Sequence, residues 1–270
     1  MPAYQRCPDY YLGTSTIVDF VRCIRCNMLQ QAPVPKDTSA LYADYPIHQS
    51  KSRLFRAFRW LVMSKMYFAF PADAHLSVLD YGCGDGGYLD EMKQRSQARL
   101  LGYEPVPAQA SRLAAALRMP VYSSIDDLIA DEAGKLDVVT MHMVLEHVVD
   151  PDAAIARAAH LLKHGGTLHI VVPNAESFEA RLFGRNWHNL DAPRHISFPA
   201  ESHMRSMAAR HGLTLSRSGY VPFPNGVAGS LPVVISGRFR FALFALFLPL
   251  GIVWSRLAPS GVHAFTLTKL

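Results

Sequence analysis

The sequence predicts an α/β protein built on a doubly wound, Rossmann-like sheet. Two observations carry this prediction. Short apolar runs alternate with helix-forming stretches between residues 76 and 174. The first apolar run ends in a glycine-rich turn at 82–87, and a helix-forming stretch follows it. A strand, a glycine turn and a helix N-terminus together direct backbone N–H groups and the helix dipole at a ligand.

Composition limits the class of protein before any motif is considered. The chain has 270 residues, 50% hydrophobic and 18% charged, which suits one sizeable globular domain with additions. The formal net charge is +5. The basic residues are spread along the chain, so we expect ordinary surface charge and no nucleic-acid partner. Residues 1–11 lack the apolar core of a signal peptide, and we expect a cytoplasmic protein.

Three cysteines lie near the N-terminus. Cys23 and Cys26 have the C-x-x-C spacing of half a zinc ribbon, but only Cys7 lies upstream of them. A complete ribbon needs a second pair of ligands. We therefore favour a degenerate zinc-ribbon-like segment over a bound zinc ion.

A helical extension is predicted to precede the core domain. Residues 51–70 have apolar residues at helical spacing, interleaved with basic ones. Such a helix either packs on its own domain, which we favour, or lies on an anionic membrane. Pro71 indicates a boundary, so the predicted domains are the extension at 1–72 and the core at 73–270.

Two cofactors fit the glycine loop. Gly82, Gly84 and Gly87 match the dinucleotide fingerprint G-x-G-x-x-G, and Glu104 follows at a distance suited to a ribose. Asp80, at the tip of the strand, would repel a pyrophosphate, but would attract the sulfonium and ammonium groups of S-adenosylmethionine (SAM). The loop therefore favours SAM over NAD(P), and a tight turn without a ligand is the third interpretation. The predicted cofactor contacts here are Asp80, Gly82, Cys83, Gly84 and Gly86.

The next two strands supply the rest of the predicted cofactor site. A second strand ends at Glu104, whose carboxylate can accept hydrogen bonds from both ribose hydroxyls. Residues 124–127 follow a short third strand, at the position where a domain that binds S-adenosylmethionine holds the adenine ring. We place Ile125 and Asp126 in this site. An equal alternative for Asp126 is to cap the following helix.

Residues 136–151 are the second informative stretch. Residues 136–141 predict a strand, and His142 lies in it or just after it. We place His142 beside the cofactor, with a structural role as the alternative. Glu146 and His147 then interrupt an otherwise apolar passage close to the strand's carboxyl end, where open α/β sheets bind ligands.

A helix and a fifth strand complete this part. Asp150 suits the N-cap and Pro151 the first turn of a helix that is expected to run to His164. Glycines then end the helix. Residues 167–172 predict the fifth strand.

These motifs in this order resemble the class I SAM-dependent methyltransferases of the ubiquinone-biosynthesis-like group. The resemblance rests on D-V-V-T…V-L-E-H-V-x-D-P at 137–151, on L-L-K-x-G-G-T-L…V-P-N at 161–174 and on the glycine loop; it covers about 76–174. It implies SAM as the cofactor and a seven-stranded sheet whose last strand is antiparallel and inserted beside the sixth. The sixth and seventh strands are expected at 213–218 and 262–269.

The resemblance also implies where an acceptor binds. Residues 187–199 are similar to a segment that many of these enzymes place over the substrate, and Trp187 and Arg194 are predicted substrate contacts together with Glu146. Arg194 could hold an anionic group. The implied chemistry is direct displacement at the SAM methyl group, for which a hydroxyl acceptor must lose a proton. The candidate bases are His147 and His195, with backbone hydrogen bonding as the alternative role of each.

We predict no catalytic metal. Some relatives that methylate quinone precursors use an acidic residue three positions before the Glu–His pair as part of a divalent-metal site. Position 143 is a methionine here, which leaves only Glu146 and His147. Many relatives also begin with two C-x-x-C pairs, and this chain resembles that layout with a ligand missing.

The C-terminal part contains an apolar insertion near 239–255. Residues 241–254 carry no charge, and the run is too short to span a bilayer. It could form a hydrophobic lid, a helix that dips into a membrane or a packing helix. Together with the basic helix before the core, this insertion suggests two hypotheses that can be tested. One is peripheral membrane contact, and the other is a lipid-linked acceptor.

The sequence therefore predicts a SAM-dependent methyltransferase acting on a small or lipid-linked acceptor, at oxygen. The alternatives are an N- or C-methyltransferase, an NAD(P)-dependent oxidoreductase, and an inactive SAM-fold subunit that binds a partner through its apolar tail. The sequence does not predict the acceptor or the oligomeric state.

Overall fold

The computed structural model describes residues 1–36, 38, 41, 60–62 and 64–270. In chain order the strands are β1 (Pro2–Pro8), β2 (Ile17–Arg22), β3 (Leu29–Ala32), β4 (Ser77–Tyr81), β5 (Arg99–Tyr103), β6 (Val121–Tyr122), β7 (Leu136–His142), β8 (Leu162–Pro173), β9 (Ser197–Phe198), β10 (Leu213–Tyr220) and β11 (Val262–Lys269). The helices are α1 (Gly87–Arg95), α2 (Pro107–Leu117), α3 (Ile125–Glu132), α4 (Pro151–Leu161), α5 (Phe178–Phe183), α6 (Glu201–Arg210), α7 (Asn225–Ser236) and α8 (Phe241–Leu257).

A seven-stranded sheet forms the centre of the described part of the chain. Its order is β10-β11-β8-β7-β4-β5-β6. The strands from β8 to β6 are parallel, whereas β11 runs antiparallel between β8 and β10. The predicted α/β class, the seven strands and the antiparallel last strand beside the sixth are confirmed.

The register of the central strands brings their carboxyl ends together. Asp80 of β4 lies opposite Gly102 of β5 on one side and Thr140 of β7 on the other. The strands are apolar because helices cover both faces of the sheet, and Leu79 and Val139 are fully buried. The polar ends of β4, β5 and β7 therefore meet at one edge, which is where such sheets bind ligands.

Helix α4 begins as predicted but ends early. Asp150 is its N-cap and accepts a hydrogen bond from the Ala153 N–H at 3.0 Å. The expectation that it reaches His164 is wrong, because β8 already begins at Leu162, which pairs with Leu136 of β7. Sheet pairing therefore overrides the local helical pattern.

Helix α3 has a different cap from the one considered in the sequence. The Ser124 side chain accepts the Asp127 N–H at 3.2 Å, and Asp126 lies exposed in the first turn. The N-cap alternative for Asp126 is therefore wrong. The helix begins at Ile125, two residues earlier than an N-cap at Asp126 would require, and Ser124 supplies the cap.

The N-terminal segment forms a β-sheet. Strands β1, β2 and β3 pair in succession, and β9 joins β3 through Leu29 opposite Phe198. The division of the chain after residue 72 stays a prediction, although β9 of the predicted core belongs to this N-terminal sheet.

The cysteines of this segment have separate environments. Cys7 is buried in an apolar cluster with Phe20 and Leu29, where burial raises its pKa to about 11. Cys23 and Cys26 lie in the turn between β2 and β3. In the part of the chain that is described, these three thiols do not come together as a metal-binding group, and the interpretation as a degenerate zinc-ribbon-like segment stays a prediction.

The predicted helix at 51–70 falls largely outside the described residues. Residues 60–62 are helical and Ser64–Met66 form a 3-10 turn. The prediction that the helix continues to Phe70 is wrong, because residues 67–70 have no helical structure. Instead, these residues cross the edge of the sheet beside β7, as described below.

The charge-free run of the C-terminal part forms α8, which packs against α7. Pro224 and Ala228 at the start of α7 contact Gly251 in the C-terminal half of α8, and a short connection joins the two helices, so they are antiparallel. None of the helices in the described ranges combines the length and the apolar character that crossing a bilayer requires.

Candidate active site

The glycine loop turns sharply at three left-handed glycines. Gly82, Gly84 and Gly86 have φ values of 77°, 55° and 74°, a region in which residues with a Cβ are strained. A Cβ on Gly82 would also lie 2.8 Å from the Val144 side chain. The loop after β4 is thus packed against the residues just before Glu146, and the two informative stretches of sequence meet here.

Asp80 is the buried polar residue at the end of β4. The Thr140 hydroxyl donates to its Oδ1 at 2.9 Å, and Nδ1 of His142 lies 3.5 Å from the same oxygen. Both partners come from β7, the neighbouring strand. The carboxylate is therefore held in one orientation beside the glycine loop, and its contact with a cofactor stays a prediction.

Two more carboxylates surround the loop. Asp85 accepts the Gly87 N–H at 2.9 Å, at the N-terminus of α1. Glu104 accepts the N–H groups of Gly84 at 3.1 Å and Val106 at 3.2 Å. A protein carboxylate thus occupies the position at which a dinucleotide pyrophosphate would bind the helix. The concentration of negative charge disfavours NAD(P) and suits a cationic ligand.

The remaining predicted cofactor residues differ in their exposure. Cys83 is buried, and burial raises the pKa of its thiol far above the ordinary range. A Cβ built on Gly102 would lie 2.9 Å from the Cys83 Sγ. Cys83 thus fills the space between β4 and β5 as a small residue. Ile125 packs partly buried against the main core, whereas Asp126 is exposed. Their contacts with an adenine ring stay predictions.

An aromatic cluster lies beside Asp80, and the sequence pattern did not predict it. The Phe68 N–H donates to Nε2 of His142 at 3.2 Å, and the Tyr88 hydroxyl donates to the Phe68 carbonyl at 2.9 Å. The ring of Tyr67 meets His142 edge-on, with centroids 5.2 Å apart. The available signal was the run of aromatic residues at 67–70, which the helical pattern assigned to a helix. His142 therefore links the end of β7 to the segment that crosses it.

The second cluster joins residues that are distant in sequence. The Ile196 N–H donates to the backbone carbonyl of Glu146 at 2.6 Å. This bond brings His195 beside His147, with ring centroids 4.6 Å apart. The sequence indicated both histidines independently, and the structure places them in one group with Glu146.

Hydrogen bonding indicates which nitrogen of each histidine is basic. Nδ1 of His147 lies 3.1 Å from the carbonyl of Arg194, and Nδ1 of His195 lies 2.7 Å from the carbonyl of Asn189. A carbonyl can only accept, so Nδ1 carries the proton in each ring and Nε2 is the basic nitrogen. His147 is half-buried, whereas His195 is buried.

Burial keeps this cluster uncharged near neutral pH. It lowers the pKa of His147, and it lowers that of His195 to about 3 with a further contribution from His147. Burial also raises the pKa of Glu146 to about 8. Neutral imidazoles can accept a proton, which is the property required of a general base.

The same three side chains could hold a metal ion. One ligand atom from each of Glu146, His147 and His195 lies within 4.8 Å of the others. Neither carboxylate oxygen of Glu146 has a hydrogen-bond partner among the described residues, although both are buried. A carboxylate and two imidazoles form a suitable donor set for a divalent transition metal. The prediction that no metal binds here stays untested.

Two predicted acceptor contacts are tied into the protein itself. Arg194 is buried and donates to both oxygens of Asp9 at 2.8 and 2.9 Å, and to Asp191 at 2.7 Å. Trp187 is buried in the apolar cluster beneath the N-terminal sheet. These positions favour structural roles, and contact of either residue with an acceptor stays a prediction.

A family model described as a methyltransferase domain matches residues 53–217, more than half of the chain. Together with the sheet order and the carboxylate-rich glycine loop, this match shows that the chain belongs to the methyltransferase-domain family, among the class I SAM-dependent methyltransferases. The predicted family, enzyme class and SAM cofactor are confirmed at this level.

Curated relatives of the chain have a more particular name. The chain is 39% identical over 110 residues to a ubiquinone biosynthesis O-methyltransferase of Xanthomonas axonopodis pv. citri, covering 38% of this chain and 45% of the relative. It is also 39% identical over 103 residues to the protein of that name in Xanthomonas campestris pv. campestris, covering 36% and 43%. The chain thus spans less than half the length of the curated relatives it matches.

Solved structures share the fold. A mycolic acid cyclopropane synthase complexed with SAH and CTAB superimposes with a TM-score of 0.52 at 16% identity, over 79% of this chain and 83% of that one. A geranyl diphosphate methyltransferase in complex with SAM gives 0.51 at 17% identity, over 81% and 86%. At this level of identity, the likeness concerns the fold alone.

Proposed function

We propose that this protein transfers the methyl group of SAM to a hydroxyl oxygen of a small acceptor, which is free or carried by a lipid. The observation that carries the proposal is the set of three carboxylates around the glycine loop, Asp80, Asp85 and Glu104. Their charge complements the sulfonium and ammonium groups of SAM. The cytoplasm, which supplies SAM, is the proposed location.

Each carboxylate has a separate proposed role in binding SAM. Asp80, held by Thr140 and His142, faces the methionine end. Glu104 lies at the end of β5, where it can accept hydrogen bonds from the ribose hydroxyls while keeping its bonds to the loop. Ile125 and Asp126 lie beyond it for the adenine. The bound sulfonium is already a strong electrophile, so the protein mainly has to align the acceptor and exclude water.

His147 is the proposed general base. Its Nδ1 donates to the Arg194 carbonyl, which fixes the ring and leaves Nε2 as the basic nitrogen. Because burial lowers its pKa, the ring is neutral and ready to accept a proton near neutral pH. It is less buried than His195, and an acceptor can reach it more easily. His195 is the alternative base, and otherwise it orients His147 through ring contact.

The name of the curated relatives supports oxygen as the acceptor atom and a small molecule as the substrate. A nitrogen or carbon acceptor remains the alternative within the same fold. If a divalent cation binds Glu146, His147 and His195, it would lower the pKa of an acceptor hydroxyl, which is a different means of removing the proton.

Methyl transfer from labelled SAM to a panel of o-diphenols tests the proposal. Wild-type protein should methylate at least one diphenol at oxygen. His147→Gln should lower kcat by about 100-fold or more, because the base acts only in the chemical step. The affinity for the demethylated cofactor, S-adenosylhomocysteine (SAH), should change less than about twofold. His164→Gln, an exposed histidine at the far end of β8, is the matched control.

Three results would contradict parts of this proposal. Unchanged kcat in His147→Gln would exclude it as the base, and a loss in His195→Gln alone would transfer the role. Loss of activity on chelation, restored by a divalent cation, would contradict a metal-free mechanism. Methylated amine products without any methyl ether would contradict oxygen as the acceptor atom.

A further inference from the structure

The outer face of α8 has no polar side chain along most of its length. Its exposed residues recur at helical spacing, so they form one stripe along the helix. A helix that packs only on its own domain presents polar residues on that face. The large apolar residues of the stripe, with their exposed fractions, are Phe241 (69%), Leu246 (67%), Leu250 (49%), Val253 (54%) and Leu257 (81%).

Neighbouring helices extend this apolar surface. Val234 and Ile235 are exposed at the end of α7, and Phe178 and Leu182 are exposed one turn apart on α5. The ring of Phe178 lies 5.8 Å from that of Trp254 of α8, so the two helices form a continuous patch. We call the stripe of α8, together with these four exposed residues of α7 and α5, the hairpin surface.

Positive charge borders the hairpin surface at both ends of α8. Arg238 and Arg240 lie in the connection between α7 and α8, and line an open pocket of about 380 Å³ with Tyr10 and Tyr11. Arg256 and Lys65 line a second pocket at the other end. No Asp or Glu follows Glu201 in the sequence, so α7 and α8 contain no acidic residue.

The connection that carries the arginines is fixed in place. The Phe239 N–H donates to the Tyr10 carbonyl at 2.8 Å, and the Phe239 ring stacks on Tyr11 with centroids 5.0 Å apart. Neither Arg238 nor Arg240 forms an ion pair with a carboxylate of the described residues. The backbone that bears the two arginines is therefore held beside the apolar stripe, and both arginines line the pocket with the two tyrosines.

We propose that the hairpin surface docks on an anionic lipid bilayer. The apolar stripe of α8 enters the boundary between headgroups and acyl chains, and Arg238 and Arg240 bind lipid phosphates in the pocket with Tyr10 and Tyr11. Apolar residues bordered by basic ones are the combination by which a helix lies in the membrane interface. The absence of acidic residues in α7 and α8 selects an anionic surface over a neutral one.

The docked surface is close to the proposed acceptor side of the active site. Gly229 of α7 packs against the His188 ring, and Ser230 accepts the His188 N–H at 2.8 Å. His188 belongs to the segment that continues to His195. The inference thus deepens the proposed function, because an acceptor carried in the membrane would reach the site from this side. The route of the acceptor rests on the proposed function, whereas the docking of the hairpin surface on a membrane does not.

Flotation of the full chain with vesicles tests the docking. The chain should float with phosphatidylcholine vesicles containing roughly one-third phosphatidylglycerol, and remain unbound with phosphatidylcholine alone. The double change Leu246→Asn and Leu250→Asn should abolish flotation. Arg238→Gln with Arg240→Gln should weaken the apparent affinity by about tenfold or more, since each arginine near an anionic surface contributes about fivefold. Arg205→Gln with Arg210→Gln on α6 makes the same charge change away from the surface and should have a much smaller effect.

SAH titration of every variant separates the outcomes. Variants that bind SAH like the wild type are folded, so a loss of flotation in them supports docking. Wild-type protein that binds SAH but does not float overturns the docking proposal. Equal flotation with both kinds of vesicle overturns the anionic preference. A dimer in solution that dissociates in the Leu246→Asn and Leu250→Asn variant assigns the surface to a second copy of the chain and also overturns the proposal. A failure of SAH binding with intact flotation would affect only the proposed function.

Discussion

Glu179 shows how one buried carboxylate joins three elements. It lies on α5, its Oε2 accepts the Gly261 N–H at 3.1 Å, and a Cβ on Gly226 of α7 would collide with the same oxygen. Burial raises its pKa to about 7, although the Gly261 N–H and the indoles of Trp187 and Trp254 act to lower it. Glycine is needed at positions 226 and 261 because the Glu179 carboxylate occupies the space that a Cβ would need.

This raised pKa predicts a stability that depends on pH. The ordinary pKa of 4.5 applies to the unfolded chain and about 7 to the folded one, so the native carboxyl holds its proton where the unfolded one has lost it. Stability is therefore lost as pH rises from about 4.5 through about 7. Glu179→Gln stays neutral, and its free energy of unfolding relative to wild type should rise by about 2–3 kcal/mol between pH 5 and 9.

Urea unfolding at the two pH values measures this difference. Glu201→Gln is the control, because Glu201 is partly exposed and its pKa is lowered by hydrogen bonds from Ser218 and Arg205. That group is ionised throughout the range, so its variant should show no change between the two pH values. The same absence of change for Glu179→Gln would contradict the raised pKa.

At the scale of elements, the α7–α8 pair depends on a close approach at one glycine. A Cβ on Gly251 would come closer to the Pro224 carbonyl oxygen than non-bonded atoms allow, and would lie 3.0 Å from the Ala228 Cβ. Pro224 N-caps α7, and its backbone cannot move without moving that helix. Gly251 thus sets the distance between the helices.

Gly251→Ala should therefore destabilise the protein by about 1–3 kcal/mol, as overpacking does. The higher helix propensity of alanine would by itself give a gain of about 1 kcal/mol, so a net loss is diagnostic of the contact. Thermal unfolding measures the effect. Gly219→Ala in β10, where a Cβ meets nothing within 4 Å, is the control. A stabilised Gly251→Ala variant would show that the helices are not in close contact.

Local patterns predict the elements whose structure is determined locally. The glycine loop, the Asp150 cap and strand β11 were found in the sequence because their signals lie within a few residues. The order of the sheet came from the resemblance to a known family. The end of α4 was misplaced because pairing of Leu162 with Leu136, across the sheet, decides it.

The candidate site was predictable to the same extent. Asp80, Glu104 and the two histidines follow strands or belong to motifs, so they could be named. Their partners could not, since Phe68 reaches His142 from a segment whose pattern indicated a helix. The N-terminal sheet was missed because β3 pairs with β9 far along the chain, and the C-x-x-C spacing indicated a degenerate zinc-ribbon-like segment.

At the scale of the whole molecule, one buried ion pair ties the N-terminal sheet to the segment bearing His195. Asp9 and Arg194 are each almost fully buried and form two hydrogen bonds. Burial would lower the pKa of Arg194, but its bonds to Asp9 and Asp191 raise it above its usual range. The pair is thus ionised, and its two charges depend on each other.

Asp9→Asn should destabilise the protein by about 2 kcal/mol, because it weakens the two charge-assisted hydrogen bonds from Arg194, although Asp191 still pairs with Arg194. Arg205→Gln breaks the exposed pair with Glu201 and should cost less than about 0.5 kcal/mol. Urea unfolding compares the two. Equal, small effects would mean that Arg194 does not join the sheet to the rest of the molecule.

We propose that the carboxylates around the glycine loop make a SAM site. Calorimetric titration with SAH, and with NADH in parallel, tests it most directly. We expect micromolar binding of SAH, no binding of NADH, and a loss of about tenfold or more in SAH affinity for Asp80→Asn, with no change for the exposed control Asp131→Asn. Binding of NADH, or of neither ligand to folded protein, would contradict the claim, and full SAH affinity in Asp80→Asn would contradict the assignment of the site.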